Sequence, residues 1–258
     1  MLRINNLIFP ESLDDAYKEL IKNKNNCILG GMIWLKMEDR IIPTGIDLSK
    51  LNLNKIEETQ NAFKIGAMVT LRELETSLAL NRETCYIFKE SVQDIVGVQL
   101  RNMATIGGSV FSRFGFSDVI CALLCLDTEV CLYKHGIMPL QKFLDSGIYN
   151  DILTHIIIPK KYKNIVFTSF RNTATDLPIL NVSISKDDAY HICVGARPAI
   201  AKRFDMAIED IQTVADKICE KIICGSNMRA SKEYRYKLMR VLVSRMLRKV
   251  DEQDENRV

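Results

Sequence analysis

"RNMATIGGSVFSRFGFSD", residues 101–118, holds one of two Gly-Gly pairs in a chain with only 12 glycines. The other is Gly30-Gly31, in "NNCILGGM", residues 25–32. Each pair follows an apolar run and reads as a strand entering a tight turn. Glycine adopts positive φ without penalty and lets backbone N–H groups come close to a bound group. Successive N–H groups in such a turn form a nest for an anion, typically a phosphate. Neither Gly-x-Gly-x-x-Gly nor Gly-x4-Gly-Lys-Ser/Thr occurs, so a nucleotide held here would sit outside a Rossmann or P-loop unit. Taken singly, either pair reads first as a plain tight turn.

Outward from that stretch the chain alternates strands and helices. Leu7 to Pro10 reads as a strand, and Ser12 to Asp15 carries the Ser-x-x-Asp pattern of a helix N-terminus ahead of Leu13, Ala16, Leu20 and Ile21. "CIL" before the first pair and "IIPTGIDLS" complete a strand–helix–strand unit over about 1–53. "FKIGAMV" reads as a strand, and Thr70-Leu-Arg-Glu73 is a capping box for a helix with Leu74 and Leu78. A helix from Val92 to Gln99, a strand and turn at "ATIGGSV" and a helix from Asp118 to Leu126 follow. "TEVCLY", "GIMPL" and "LTHIIIP" are strands, and Pro159 with "KKYKN" marks a boundary near residue 160. Beyond it, "IVFTSFRN", "ILNVSIS" and "AYHICVGA" predict three antiparallel strands. An amphipathic helix over 205–222 and a basic C-terminal helix back them. The polar residues 251–258 read as a disordered tail.

Composition narrows the function. The 258 residues carry a net charge of +3, too small to call for nucleic acid or an anionic membrane. No apolar run reaches membrane-spanning length and no signal pattern opens the chain, which points to a cytoplasmic protein. The eight cysteines include no Cys-x-x-Cys pair and the three histidines are scattered, so no metal site is expected. Cys121 and Cys125 share a face of a buried helix and read as packed thiols. No Ser-His-Asp or Cys-His set is readable, and no catalytic residue is assigned.

The segments in their order resemble the flavin subunit or domain of the molybdenum hydroxylases, the family of xanthine dehydrogenase and carbon monoxide dehydrogenase. The residues that carry the resemblance are "SLDDAYKELI", "CILGGMIWLKM", "IPTGIDLSKL", "FKIGAMVTLRELE", "VGVQLRNMATIGGSV", "DVICALLCLDTEVCL", "FRNTATDLPILNVSIS" and "SNMRASKEYRYKLMRVLVSRML". "LRNMATIGG" is the most specific. The resemblance implies an α+β chain. A two-subdomain FAD-binding fold of the vanillyl-alcohol-oxidase/PCMH type would cover 1–160, divided near residue 53. A C-terminal α+β domain with a three-stranded antiparallel sheet would cover 161–250.

By the same resemblance FAD is held by a first loop of Cys27, Ile28, Leu29, Gly30, Gly31, Met32, Ile33 and Trp34. A second loop of Thr105, Ile106, Gly107, Gly108 and Ser109 adds N–H groups and a hydroxyl to the pyrophosphate. Asp118 falls at a ribose or adenine-side position, beside the plainer reading of a helix cap. Leu153 falls on the pocket wall, and Arg171 where the family often has a lysine near the flavin ring. Ile95 is a further wall residue, with a core position as its alternative, and Trp34 reads as a stacking residue or a structural tryptophan.

The family's first loop continues Gly-Gly-Thr/Ser-Asp, and here Met32 and Ile33 remove the hydroxyl and the carboxylate. Ser109 replaces an Asn, and Arg113-Phe114-Gly115 replaces Ala-Ser-Pro. The resemblance implies an FAD-carrying electron-transfer subunit. Its partners would be a molybdopterin-binding large subunit and a [2Fe–2S] small subunit, with NAD⁺ as acceptor. A flavin-free structural subunit of such a complex is the alternative. The basic helix containing Arg235, Arg240, Arg245, Arg248 and Lys249 reads as a solvated face or a docking face for a partner.

Overall fold

The computed structural model describes residues 1–162 and 164–255. Strand β1 (Arg3–Ile8), helix α1 (Leu13–Lys22) and strands β2 (Cys27–Leu29) and β3 (Ile41–Asp47) form the first unit. The strands lie parallel in the order β1-β3-β2, and helix α1 supplies the crossover connection that parallel strands need. Ser12 caps α1 by accepting from the Asp15 N–H at 3.1 Å. Ala16 and Leu20 turn inward to Ile46, Leu48, Leu53 and Ile152, while Ile21 stays exposed.

The second unit runs through β4 (Ile56–Glu58) and β5 (Ala62–Gly66) into a string of helices. These are α2 (Leu71–Thr76), α3 (Leu78–Glu83), α4 (Ile87–Val92), α5 (Val98–Arg101), α6 (Ile106–Phe111) and α7 (Asp118–Leu124). Strands β6 (Glu129–Leu132) and β7 (Gly136–Pro139), helix α8 (Leu140–Asp145) and strand β8 (Leu153–Pro159) close it. The sheet is antiparallel, in the order β4-β5-β8-β6-β7. The Thr70–Glu73 capping box forms as expected at the start of α2. All seven residues of α7 are buried, so this helix is the centre of the core.

Strands β9 (Asn164–Phe170), β10 (Leu180–Lys186), β11 (Tyr190–Gly195) and β12 (Lys202–Met206), with helices α9 (Ile211–Lys221) and α10 (Lys232–Glu255), make the third unit. One face of its sheet packs on α9 and α10, through residues such as Val182, Ile192, Val214 and Val243. The other face meets α7: Ser183 Oγ donates to the Cys121 carbonyl at 2.6 Å, and Ser185 Oγ donates to that of Cys125. Both strands are buried on both faces, yet β10 still alternates: Asn181, Ser183 and Ser185 face α7 with their polar groups bonded there, and Val182 and Ile184 face α9 and α10.

Several expectations need correction. The last sheet has four strands, not three. Lys202–Met206 pairs with β11 as an edge strand (Tyr190↔Met206, Ile192↔Phe204), and its charged Lys202, Arg203 and Asp205 disguised it. The following helix therefore starts at Ile211, capped by Asp210, rather than near residue 205. The first strand is Arg3–Ile8, before Pro10. The helix expected from Val92 to Gln99 does not form as one piece: α4 ends at Val92 and α5 begins at Val98, and between them Val96 has a left-handed φ of +50° that a right-handed helix cannot contain. "TIGGSV" is the capped start of α6 rather than a strand and turn. Residues 251–255 continue α10, and the rest of the expected tail, 256–258, lies outside the described residues.

Candidate functional site

The two Gly-Gly pairs meet. Gly30 follows β2 and Thr105 caps α6, and an added Cβ on Gly30 would lie 2.8 Å from Thr105 Oγ1. On Gly31 it would lie 1.8 Å from the Met103 carbonyl oxygen, and on Gly107 2.6 Å from that of Ala67. Close packing, on backbone at Gly31 and Gly107 and on the Thr105 side chain at Gly30, explains these glycines rather than positive φ, since none of the four has φ in the left-handed region. Gly108 differs from the others. Its Cβ would meet only Thr105 Oγ1, at 3.1 Å, and otherwise open space.

That space is a cavity of about 440 Å³, within the usual range for small-molecule sites. Of the residues expected at the site, Cys27, Ile28, Gly30, Gly31, Met32, Ile33 and Trp34 line it from the first loop. Thr105, Gly107, Gly108 and Ser109 line it from the second, joined by Ile95, Asp118, Leu153 and Arg171. Leu29 and Ile106 are buried and do not reach it; strand alternation turns Leu29 inward and the first helical turn sends Ile106 into the core.

The N–H groups divide unequally. At the start of α6, Ile106 donates to the Val69 carbonyl at 2.9 Å and Gly107 to that of Ala67 at 2.9 Å. Gly108 donates to Thr105 Oγ1 at 3.1 Å and Ser109 to the Thr105 carbonyl at 3.0 Å. These donors are spent within the protein. The N–H groups of Gly31, Met32, Ile33 and Trp34 find no acceptor among the described residues. Met32 has φ of 58°, a strained conformation for an unbranched side chain that has no glycine to supply it. The first loop thus presents unspent backbone donors beside a cavity, the arrangement that suits an anion.

Asp118 and Arg171, expected at different parts of a cofactor, are bonded to each other. Arg171 Nη2 donates to Asp118 Oδ2 at 2.6 Å, and Asn181 Nδ2 donates to Oδ1 at 2.9 Å. Ser117, not Asp118, caps α7, accepting from Ile120 N–H at 3.1 Å. Burial pushes the Asp118 carboxyl up, against the opposing pull of Arg171 and Asn181. Arg171 Nη1 also donates to the Asp176 carbonyl at 2.9 Å, while its buried Nε has no hydrogen-bond partner among the described residues. The pair joins α7 to the third sheet at the cavity wall.

Sequence reasoning passed over two wall residues. Phe114 and Phe116 stack at 5.0 Å between centroids, 12° from parallel, and Trp34 contacts them at 5.4 and 5.2 Å. All three line the cavity. The signal was the pair of phenylalanines in "RFGF", adjacent to Asp118.

The site fits FAD on this chain's own features. The glycines keep two backbones close, the first loop holds donors for a diphosphate, and the remaining wall is largely aliphatic and aromatic. Among the described residues, no three His, Cys, Asp or Glu side chains are grouped to hold a metal ion.

A match to the family "FAD binding domain in molybdopterin dehydrogenase" covers residues 3–161, more than half of the chain. The chain is 23% identical over 273 residues to the glyceraldehyde dehydrogenase medium chain of Sulfolobus acidocaldarius, across 93% of this chain and 96% of that one. It is 28% identical over 127 residues to the nicotinate dehydrogenase FAD-subunit of Eubacterium barkeri, across 45% of this chain and 43% of that one. Its fold matches a solved carbon monoxide dehydrogenase structure from Hydrogenophaga pseudoflava with a TM-score of 0.85 at 18% identity, covering 96% of this chain and 97% of that one.

Proposed function

The chain belongs to the family of FAD-binding domains of molybdopterin dehydrogenases, and from that premise we propose that it is the FAD-carrying electron-transfer subunit of a molybdenum hydroxylase. FAD, when bound, supplies the chemistry of taking electrons from a [2Fe–2S] partner and passing them on as hydride, with NAD⁺ the acceptor favoured here. The chain's own work is to bind, orient and shield that group.

The observation that carries the reading is the set of unspent N–H groups at Gly31, Met32, Ile33 and Trp34 beside the cavity. A diphosphate takes backbone donors without needing a lysine, and among the described residues no lysine lines this cavity. The loss of side-chain donors at Met32 and Ile33 leaves those backbone groups untouched, which favours flavin binding over a flavin-free structural role. Thr105 and Ser109 close the opposite wall. Arg171 and Asp118 set a fixed pair of charges at one end, and Leu153 excludes water from another part of the wall.

The partners would be a molybdopterin-binding large subunit and a [2Fe–2S] small subunit. Relatives described as a medium chain and an FAD-subunit support a place among several chains. None of the described helices is long and apolar enough to cross a membrane. The test is purification from the native source: an iron–sulfur and a molybdopterin subunit should accompany this chain, and denaturation should release FAD. A chain that travels alone, or a complex that releases no flavin, refutes the proposal.

A further inference from the structure

Trp34 is 41% exposed, a large share for the chain's one tryptophan, although the residues around it are held firmly. Its ring contacts Phe114 edge-on, at 60°, and leans on Phe116 at 51°. The segment carrying the phenylalanines is anchored from two sides. Arg113 Nη2 donates to the carbonyls of Ile148 at 2.7 Å and Phe143 at 3.2 Å, with its guanidinium 4.1 Å from the Phe143 ring centroid. The Gly115 carbonyl accepts from the Ala196 N–H at 2.8 Å, and its Cα packs so closely on Ala199 that a Cβ would lie 2.9 Å from the Ala199 carbonyl carbon. Three rings are therefore fixed in one place beside the cavity, with part of the indole left open.

We infer that Trp34, Phe114 and Phe116 form a stacking wall for the isoalloxazine ring of FAD, a role that rests on the flavin reading above. Trp34 belongs to the loop with the unspent N–H groups, so a ring stacked on it lies next to the expected diphosphate. Adenine and isoalloxazine both flank a diphosphate in FAD. The rings are not coplanar: Phe114 and Phe116 stack on each other and brace the indole at 60° and 51°, so the stacking face offered to the cavity is the half-exposed bicyclic indole. The indole is electron-rich and isoalloxazine electron-poor, so their faces attract. An aromatic pair contributes beyond its buried area, enough for roughly threefold to tenfold in affinity.

The test uses the full chain, loaded with FAD, and reads flavin emission and affinity. In the native chain an indole in contact should quench bound FAD strongly. Trp34→Phe should keep affinity within about threefold, since a ring still stacks, yet raise the emission of bound FAD several-fold, because phenylalanine is a poor electron donor. Trp34→Leu should raise emission and weaken FAD roughly threefold to tenfold while leaving ADP affinity unchanged. Phe116→Leu, which leaves the indole in place, should weaken FAD but not ADP. Thermal unfolding without ligand checks that each variant folds. If Trp34→Leu binds FAD with unchanged affinity and emission, the stacking role is refuted while the flavin reading stands. If ADP weakens as much as FAD, the wall serves adenine and the assignment to isoalloxazine is overturned. If the native chain binds neither FAD nor ADP, the flavin reading itself fails.

Discussion

Gly108→Val separates a glycine kept for a ligand from one kept for folding. Gly108 lies in the first turn of α6, and a Cβ there meets only Thr105 Oγ1, at 3.1 Å. Within a helix, valine and glycine differ by about 0.5 kcal/mol or less, with valine the better helix former. The folded chain should therefore keep its stability to within about 1 kcal/mol once the contact with Thr105 is relaxed. The branched side chain would instead project into the cavity facing the first loop. If it holds the diphosphate away from one or two backbone donors, each charge-assisted bond lost weakens binding by about 1.5–3 kcal/mol. Affinity for FAD would fall roughly tenfold to many-thousand-fold. Gly107→Ala is the contrast. Its Cβ would sit 2.6 Å from the Ala67 carbonyl oxygen and 2.7 Å from the Ala67 Cβ, so it should cost roughly 1–3 kcal/mol of stability. Thermal unfolding of both variants, with and without FAD, is the assay. A folded Gly108→Val chain stabilised by FAD as fully as the native one would refute the reasoning.

Three further predictions follow from the packing. Asp118→Ala should destabilise the ligand-free chain by about 3–5 kcal/mol, because it strands the Arg171 guanidinium in a buried site, and Asp118→Leu with Arg171→Met should cost less than the single change; urea unfolding measures both. Asp187 is held well below its ordinary carboxylate value of 3.8 by hydrogen bonds from Lys161 and His191, and Asp127 and Asp205 are lowered too, with Arg203 bonded to both. Their contribution is complete above the unfolded value near 3.8 and is lost as pH falls through the lower folded values. Melting temperature should therefore drop between pH 4 and pH 2 less steeply in Asp187→Asn than in the native chain. Burial pushes the Cys125 thiol up to about 12 and raises those of Cys121 and Cys193. A thiol reagent at pH 8 should leave these three unlabelled in the folded chain and label all eight cysteines after unfolding.

What the sequence made legible follows from how local each signal is. Ser12 and the Thr70–Glu73 box cap their helices through bonds three residues apart, so their pattern is visible without the fold. The two glycine pairs come together at one cavity, though not through the expected positive φ: Gly31 and Gly107 let backbones touch, and Gly30 and Gly108 face the Thr105 hydroxyl. "TIGGSV" misled because β-branched and glycine residues favour a strand and turn, whereas the Thr105 cap and the bonds from Ile106 and Gly107 to Val69 and Ala67 impose a helix start. Edge strand β12 was hidden because alternating charges there resemble a helix entry. The Asp118–Arg171 pair joins residues 53 positions apart, and the aromatic wall joins Trp34 to residues some eighty positions on. Such contacts exist only once the three sheets have assembled.

Titration of the flavin-free chain with FAD, by calorimetry and with thermal unfolding in parallel, tests the central claim most directly. The account predicts one non-covalent FAD per chain, a rise in melting temperature with added FAD, and full release of the flavin on denaturation. A chain that is folded yet neither binds FAD nor gains stability from it would contradict the account.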